Sequence, residues 1–181
     1  MSSMRDWLPT PASAKGRLVL AALAAFGRQG YAAVSVAELA RAAATTTGPL
    51  YHHFESKLGL YAFVREDVER RALDRLEGAL AVDADPAEAL IVAFDYVARA
   101  DFARMLSEAH PDGRTDPIAV LLTERLVHAP APLGSMLAAA WRAALAATAE
   151  GVSDDAARAA IRSLAISRPR PPAGSSPRRR R

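Results

Sequence analysis

The chain has 181 residues, half of them apolar, no cysteine and a formal net charge of +3. That length can bury one ordinary core or two small ones, and the missing cysteines exclude a disulfide framework and thiolate chemistry. No run of about 18 apolar residues is present to span a bilayer. Residues 1–11 lack the apolar centre of a signal peptide, so a cytoplasmic location without a membrane partner is expected.

Alanine supplies nearly a quarter of the residues, which favours helix and allows helices to approach closely. No segment alternates with the period of a half-buried strand, so an all-α fold is expected. Charge is unevenly placed. Residues 1–60 hold six Lys/Arg against three acids, residues 61–166 hold 11 against 17, and residues 167–181 add six Arg and no acid. Basic ends around an acidic middle suit a chain whose N-terminal part meets a polyanion.

Residues 1–12, with two prolines and little apolar periodicity, are predicted to form a flexible arm. Ser13 then caps a helix whose buried stripe is Leu18, Val19, Ala22, Leu23 and Phe26, ending at Gly30. Tyr31 is placed to fill the joint between this helix and the next. Ser35 and Glu38 have capping-box spacing, and Val36, Leu39, Ala40 and Ala43 form the apolar face of a second, short helix. Small residues at Ala44 and Thr45 break it. A third short helix begins near Thr46 or Thr47 and carries Leu50, Tyr51, His52, His53 and Phe54. Two short helices joined by a tight turn are a helix-turn-helix, which can lay its second helix in the DNA major groove.

After Phe54, Ser56 caps a long helix to about Leu80, with Tyr61, Val64, Val68, Ala72 and Leu76 on its buried side. Glu66–Arg70 and Asp67–Arg71 are predicted i,i+4 pairs on its wet side. Residues 82–85 form a linker. Asp85-Pro86-Ala87-Glu88 opens a helix buried through Leu90, Ile91, Phe94, Val97 and Ala98. A short helix with Phe102, Met105 and Leu106 stops at His110-Pro111-Asp112-Gly113. Asp116-Pro117 restarts the chain with Ile118, Leu121, Leu122 and Leu126. The next helix, from about Leu133 to Glu150, carries Leu137, Ala140, Trp141, Ala144 and Leu145. Ser153 caps the last, with Asp154 and Asp155 in its first turn and Ala157, Ala160, Ile161 and Leu164 facing inward. Residues 167–181 are predicted to be disordered, being Pro-, Gly-, Ser- and Arg-rich.

Gly30-Tyr31, Ser-Val-x-x-Leu-Ala at Ser35–Ala40, and Gly-x-Leu-Tyr-x-His-Phe at Gly48–Phe54 followed by Lys57 resemble, in that order, the N-terminal domain of TetR-type transcriptional repressors. The resemblance covers about Lys15 to Val64. It implies an all-α chain with an N-terminal three-helix helix-turn-helix DNA-binding domain and a helical C-terminal body for dimerisation and ligand binding. The expected divisions are 1–12 arm, 13–54 DNA-binding domain, 55–80 connector helix, 81–166 regulatory and dimerisation domain, and 167–181 tail. The implied function is a ligand-responsive repressor that binds a pseudo-palindromic double-stranded DNA operator as a homodimer. No cofactor is implied, and the small-molecule effector is not identified.

A recognition helix needs small or hydrogen-bonding residues at its N-terminal end, donors beside it for phosphates, and an apolar underside. Thr46, Thr47, Gly48 and Pro49 stand at the front, where base contacts are expected. Ser35, Tyr51, His52 and Lys57 are suited to phosphates. Leu50 and Phe54 supply the underside. Relatives usually have Gly-Val where this chain has Ala44-Thr45, and often a long side chain at Thr47 and Thr or Ser at Pro49. Alanine tolerates positive φ poorly, and Pro49 lacks a donor, so direct base readout is expected to be thin.

In the body, Phe94, Phe102, Met105, Met136 and Trp141, with Tyr96, are the large side chains that could line a ligand pocket between helices. Arg99, Arg104, His110 and His128 are the polar candidates beside them. Dimerisation, by resemblance, falls on Leu133–Glu150 and Asp154–Ile166, through alanine faces at 140, 144, 147, 157 and 160. The last of these helices is short, and Arg178–Arg181 beyond it can add non-specific attraction to phosphates. His52 and His53 point about 100° apart on a helix and lack a third ligand, so neither a metal site nor a catalytic centre with Glu55 is expected. The competing function is a helical binding protein that keeps the fold with weak or non-specific DNA binding.

Overall fold

The computed structural model describes residues 12–82, 84–110, 113–126, 129–130 and 132–164, and among these the regular structure is nine α-helices with no strand. The expected arm up to residue 11, Asp83, His128, Ile166 and the Arg-rich tail lie outside the described residues. No helix among the described residues is long and apolar enough to cross a membrane.

Three helices form the N-terminal unit: α1 (Ala14–Ala33), α2 (Val36–Ala42) and α3 (Gly48–Phe54). Local hydrogen bonds set their starts. The Gly16 N–H donates to Ser13 Oγ at 3.0 Å. Ser35 and Glu38 form the full reciprocal capping box, with the Ser35 N–H on Glu38 Oε2 at 2.8 Å and the Glu38 N–H on Ser35 Oγ at 3.2 Å. Regular α1 geometry is interrupted at Gly30, whose φ of 77° and ψ of 177° suit glycine almost alone. One further turn, Tyr31 to Ala33, carries the chain into α2. Leu18, Val19, Ala22, Phe26, Leu39 and Leu50 meet in the middle of the unit, all fully buried.

The long helix α4 (Lys57–Ala81) starts at Ser56, whose Oγ accepts the Gly59 N–H at 3.0 Å. Its 25 residues span about 37 Å at 1.5 Å per residue. Leu60, Tyr61 and Val64 pack on the N-terminal unit, while Val68, Ala72 and Leu76 continue the same stripe into the body. One helix thus shares its apolar face between both halves.

The body is completed by α5 (Pro86–Arg99), α6 (Ala103–Ser107), α7 (Pro117–Arg125), α8 (Leu133–Ala149) and α9 (Asp154–Arg162). Asp85 and Asp116 cap α5 and α7 ahead of a first-turn proline, because proline removes an N–H that has no helical partner there. The principal pairings are α4 with α5, α7 with α8, α6 with α1 and α8, and α9 with α5 and α8. Gly134 in α8 permits the close approach of α7, since a Cβ there would overlap the Thr123 backbone.

Several details differ from the sequence-based expectation. Asp67 is buried, and it receives Arg70 at 2.5 Å and Arg71 at 2.7 Å, whereas the i,i+4 spacing assigns Arg70 to Glu66. The two arginines one turn later fold back over the carboxylate, which removes it from the wet side. Ala160 is exposed rather than inward, because in the nine residues of α9 only Ala157 and Ile161 reach full burial. Regular helix stops at Arg162, short of the expected Ile166.

A charged cluster sits between α4, the segment after α6, and α8. Glu69, at 3% exposure, accepts Arg142 at 2.8 Å and lies 2.9 Å from the buried His110 ring. Arg142 also pairs with Asp116 and donates to Leu106 O, while Arg114 donates to His110 Nδ1 at 2.9 Å. Burial holds His110 below the ordinary histidine value, outweighing the pull of Glu69. Burial would raise Asp116, but hydrogen bonds and charge from Arg142 hold it below the usual carboxylate value.

Both shifts have the same consequence in acid. A histidine depressed on folding takes up its proton first in the unfolded chain, so stability falls as pH drops below 6.5. The Asp116 contribution is lost later, below 3.8. His110→Gln is therefore expected to flatten the denaturation free energy between neutral pH and about pH 5. An unchanged slope in the variant would refute this assignment.

Candidate nucleic-acid interface

The turn between α2 and α3 is closed by short-range backbone bonds and one distant arginine. The Ala44 N–H donates to Arg41 O and the Thr45 N–H to Ala40 O, at 3.1 and 3.0 Å. From α1, Arg17 Nε donates to Ala43 O at 2.9 Å and its Nη1 to Ala12 O at 2.7 Å. The reversal puts Ala44 at φ 47°, the left-handed region that glycine usually fills. An L-residue there costs roughly 1 kcal/mol. Ala44→Gly is expected to raise the melting temperature by about 2–4 °C. A fall on thermal denaturation would refute strain at this turn.

Thr47 is the N-cap of α3 without a side-chain capping bond, and Pro49 stands in the first turn. Leu50 and Phe54 are buried beneath the helix at 0% and 7% exposure, which fixes its outward face. On that face Thr46, Thr47, Gly48, Tyr51, His52 and His53 are exposed, with Pro49 half-buried at the edge. Around Gly48 the space is open, the nearest atom to an added Cβ being Thr46 Oγ1 at 3.8 Å. Packing within the protein does not require glycine at this position.

The phosphate candidates fall into two groups. Tyr51 and His52 project freely from α3, and the His52 and His53 rings meet edge to face at 4.9 Å. Ser35 and Lys57 are engaged within the protein. The Ser35 N–H is held by Glu38, and the Ser35 contacts keep that carboxyl below the ordinary glutamate value. Lys57 Nζ donates to Tyr31 O and Val34 O, both at 2.9 Å, and lies 4.0 Å from the Tyr31 ring centre. Lys57 thus pins the α1–α2 junction to α4 and keeps one N–H outside those two bonds. Arg17 joins this region without any local sequence signal, since its partner Ala43 lies 26 residues away.

Farther off, Phe94, Met105 and Trp141 are fully buried and Phe102 nearly so, while Met136, expected beside them, stands 61% exposed on the surface. Trp141 Nε1 donates to Leu90 O at 3.1 Å. The four buried aromatic and sulfur side chains pack the helix interfaces. Arg104 donates to Ala149 O and Arg99 pairs with Asp95. Surface hollows in the body are instead lined by Glu66, Glu69, Arg70, Arg114 and Thr115, about 270 Å³, and by Arg75, Val92, Asp95, Tyr96 and Arg99, about 600 Å³. Among the described residues, no three His, Asp or Glu side chains converge as a metal site.

The family model of bacterial regulatory proteins of the tetR family matches residues 18–63, the segment from α1 into α4. The whole fold is similar to solved structures. A Rhodococcus sp. protein assigned as a TetR-family transcriptional regulator aligns with TM-score 0.61 and 16% identity, over 82% of this chain and 94% of that one. A Shewanella sp. PV-4 protein with a TetR-family assignment gives 0.56 and 20%, over 84% and 95%. A Streptomyces coelicolor protein assigned as a transcriptional regulator gives 0.51 and 26%, over 84% and 96%.

Proposed function

From the match of residues 18–63 to the tetR family of bacterial regulatory proteins and the likeness of the whole fold to such regulators, we propose that the chain is a TetR-family transcriptional regulator acting as a ligand-responsive repressor. In this reading it binds a pseudo-palindromic DNA operator as a homodimer. The carrying observation is the outward face of α3, where Thr46, Thr47, Gly48, Tyr51 and His52 are exposed together above a fully buried Leu50. Threonines at the front reach base edges, Gly48 admits close backbone approach, and Tyr51 and His52 hold phosphates on either side.

Two half-sites about one DNA turn apart require a two-fold protein. A hollow of about 330 Å³ between α8 and α9 supports that arrangement, being lined by apolar residues that include Ala140, Ala144, Ala147, Val152, Ala157 and Ala160. Small side chains there let a second copy's helices approach closely. An effector in the body then lowers DNA affinity by binding unequally to two spacings of the recognition helices.

A second reading is a helical binding protein with weak, non-specific DNA affinity. It is favoured by Lys57 and the Ser35 N–H, both engaged within the protein. Binding of the purified chain to DNA upstream of its own gene, beside scrambled DNA at two salt concentrations, separates the two. The repressor reading expects preferential binding that survives higher salt. Tyr51→Ala should weaken it about tenfold for each half-site, the effect of one hydrogen bond from a neutral hydroxyl to a phosphate, with melting unchanged because Tyr51 is exposed. Equal, salt-labile binding to both DNAs would support the second reading.

A further inference from the structure

The body and the helix-turn-helix unit meet at a second place besides α4, where α1 lies against α6. Two glycines make the approach possible. A Cβ on Gly27 would overlap the Asp101 carbonyl oxygen, and a Cβ on Gly30 would overlap the Glu108 carboxylate. The glutamate fills the space that the missing side chain leaves. From there it accepts the Tyr31 N–H on both oxygens, at 3.2 and 3.1 Å, and the Tyr61 hydroxyl at 2.8 Å. Tyr31 lies 77 residues earlier in the chain, at the turn that leads into α2. Hydrogen bonds to an ionised acceptor are about twice as strong as neutral ones.

The segment carrying Glu108 is itself held from two sides. From α4, the buried Arg65 donates to Met105 O at 2.9 Å, to Glu108 O at 2.6 Å and to the Tyr61 hydroxyl at 2.9 Å. From α8, Arg142 donates to Leu106 O at 2.5 Å, and two residues past Glu108 the His110 ring pairs with Glu69. Any shift of α6 relative to α4 or α8 must therefore move the carboxylate that holds Tyr31.

We propose that Glu108 is the coupling residue of this regulator, a latch that sets the angle of the helix-turn-helix unit on the body. It does so by gripping the Tyr31 N–H and the Tyr61 hydroxyl in the space left by Gly30. It touches no DNA and acts as a positioning residue. Displacement of α6 by an effector in the body reaches α3 through this side chain. The proposal rests on the DNA-binding reading of α3.

The test uses the full-length protein, wild type, Glu108→Gln and Tyr61→Phe. The probe is an operator footprinted on DNA upstream of its own gene, with derivatives whose half-site separation is changed by one base pair. Glutamine keeps the shape of the side chain and removes its charge and one acceptor. Glu108→Gln is expected to melt within a few degrees of wild type and to exchange its Tyr31 amide faster. Its preference for the native spacing should fall about tenfold, a usual size for coupling between sites. Tyr61→Phe should show the same loss in smaller measure. A discriminating wild type with Glu108→Gln unchanged in spacing preference overturns the coupling alone. So does a loss that only tracks unfolding in both variants. A wild type that fails to prefer its own DNA sinks the DNA-binding reading, and the coupling with it.

Discussion

Arg142→Ala is expected to destabilise the protein by about 3–5 kcal/mol, the range for removing one partner of a buried ion pair. Glu69 is 3% exposed, and water cannot replace the guanidinium beside it. Arg142 also holds Asp116 and the Leu106 carbonyl, so three acceptors each lose one donor together. At 2–4 °C per kcal/mol for a chain of this size, the melting temperature should fall by about 6–20 °C. A combined Glu69→Gln, Arg142→Met variant should recover part of the loss, because it removes the Glu69 charge along with its partner while Asp116 still lacks the guanidinium. Chemical denaturation of the single and double variants measures both. A single variant that loses less than about 1 kcal/mol would place the pair among surface ion pairs and contradict its burial.

Trp141→Ala should cost about as much, roughly 3–5 kcal/mol, for a different reason. Trp141 is fully buried in α8 and donates to Leu90 O across the interface with α5. Truncation leaves a large cavity that rigid helices on several sides cannot close. Trp141→Phe refills most of that volume and should recover more than half of the loss. Differential scanning calorimetry of the two variants distinguishes a core residue from the wall of a ligand pocket. A pocket wall would tolerate alanine with little change in stability, since the cavity already exists.

Arg142 bears on the proposed Glu108 latch as well as on stability. Arg142 and Trp141 occupy successive positions of α8 and face α6 and α5 respectively. Arg142 steadies the segment that carries Glu108, so loosening it should also loosen the hold on Tyr31. The α1–α6 contact and the charged cluster meet through one short segment, Met105 to His110, which Arg65 holds from α4 and Arg142 from α8.

The sequence by itself determined the helices and the shape of the N-terminal unit. Ser13, Ser35 with Glu38, Ser56, Asp85-Pro86, Asp116-Pro117 and Ser153 each mark a helix start, and each cap bonds within three residues. Such interactions are written in local order, as is the 3.6-residue spacing that buries Leu50 and Phe54 and turns Tyr51 outward. The left-handed position of Ala44 was legible only through the resemblance, since relatives usually carry glycine there.

Tertiary structure alone decided which polar groups find each other across the chain. Lys57, an evident phosphate candidate, lies on carbonyls 26 and 23 residues away. Arg17 closes the turn from α1, Arg142 reaches Glu69 over 73 residues, and Glu108 grips Tyr31 over 77. The large apolar residues of the body are ordinarily core by their spacing, with a pocket as the other reading, and packing places Trp141 in the interior and Met136 on the surface. A cap's partner is set by bond geometry within one turn, but a buried charge takes whichever donor the packed helices bring within about 3 Å, and no local pattern encodes that choice.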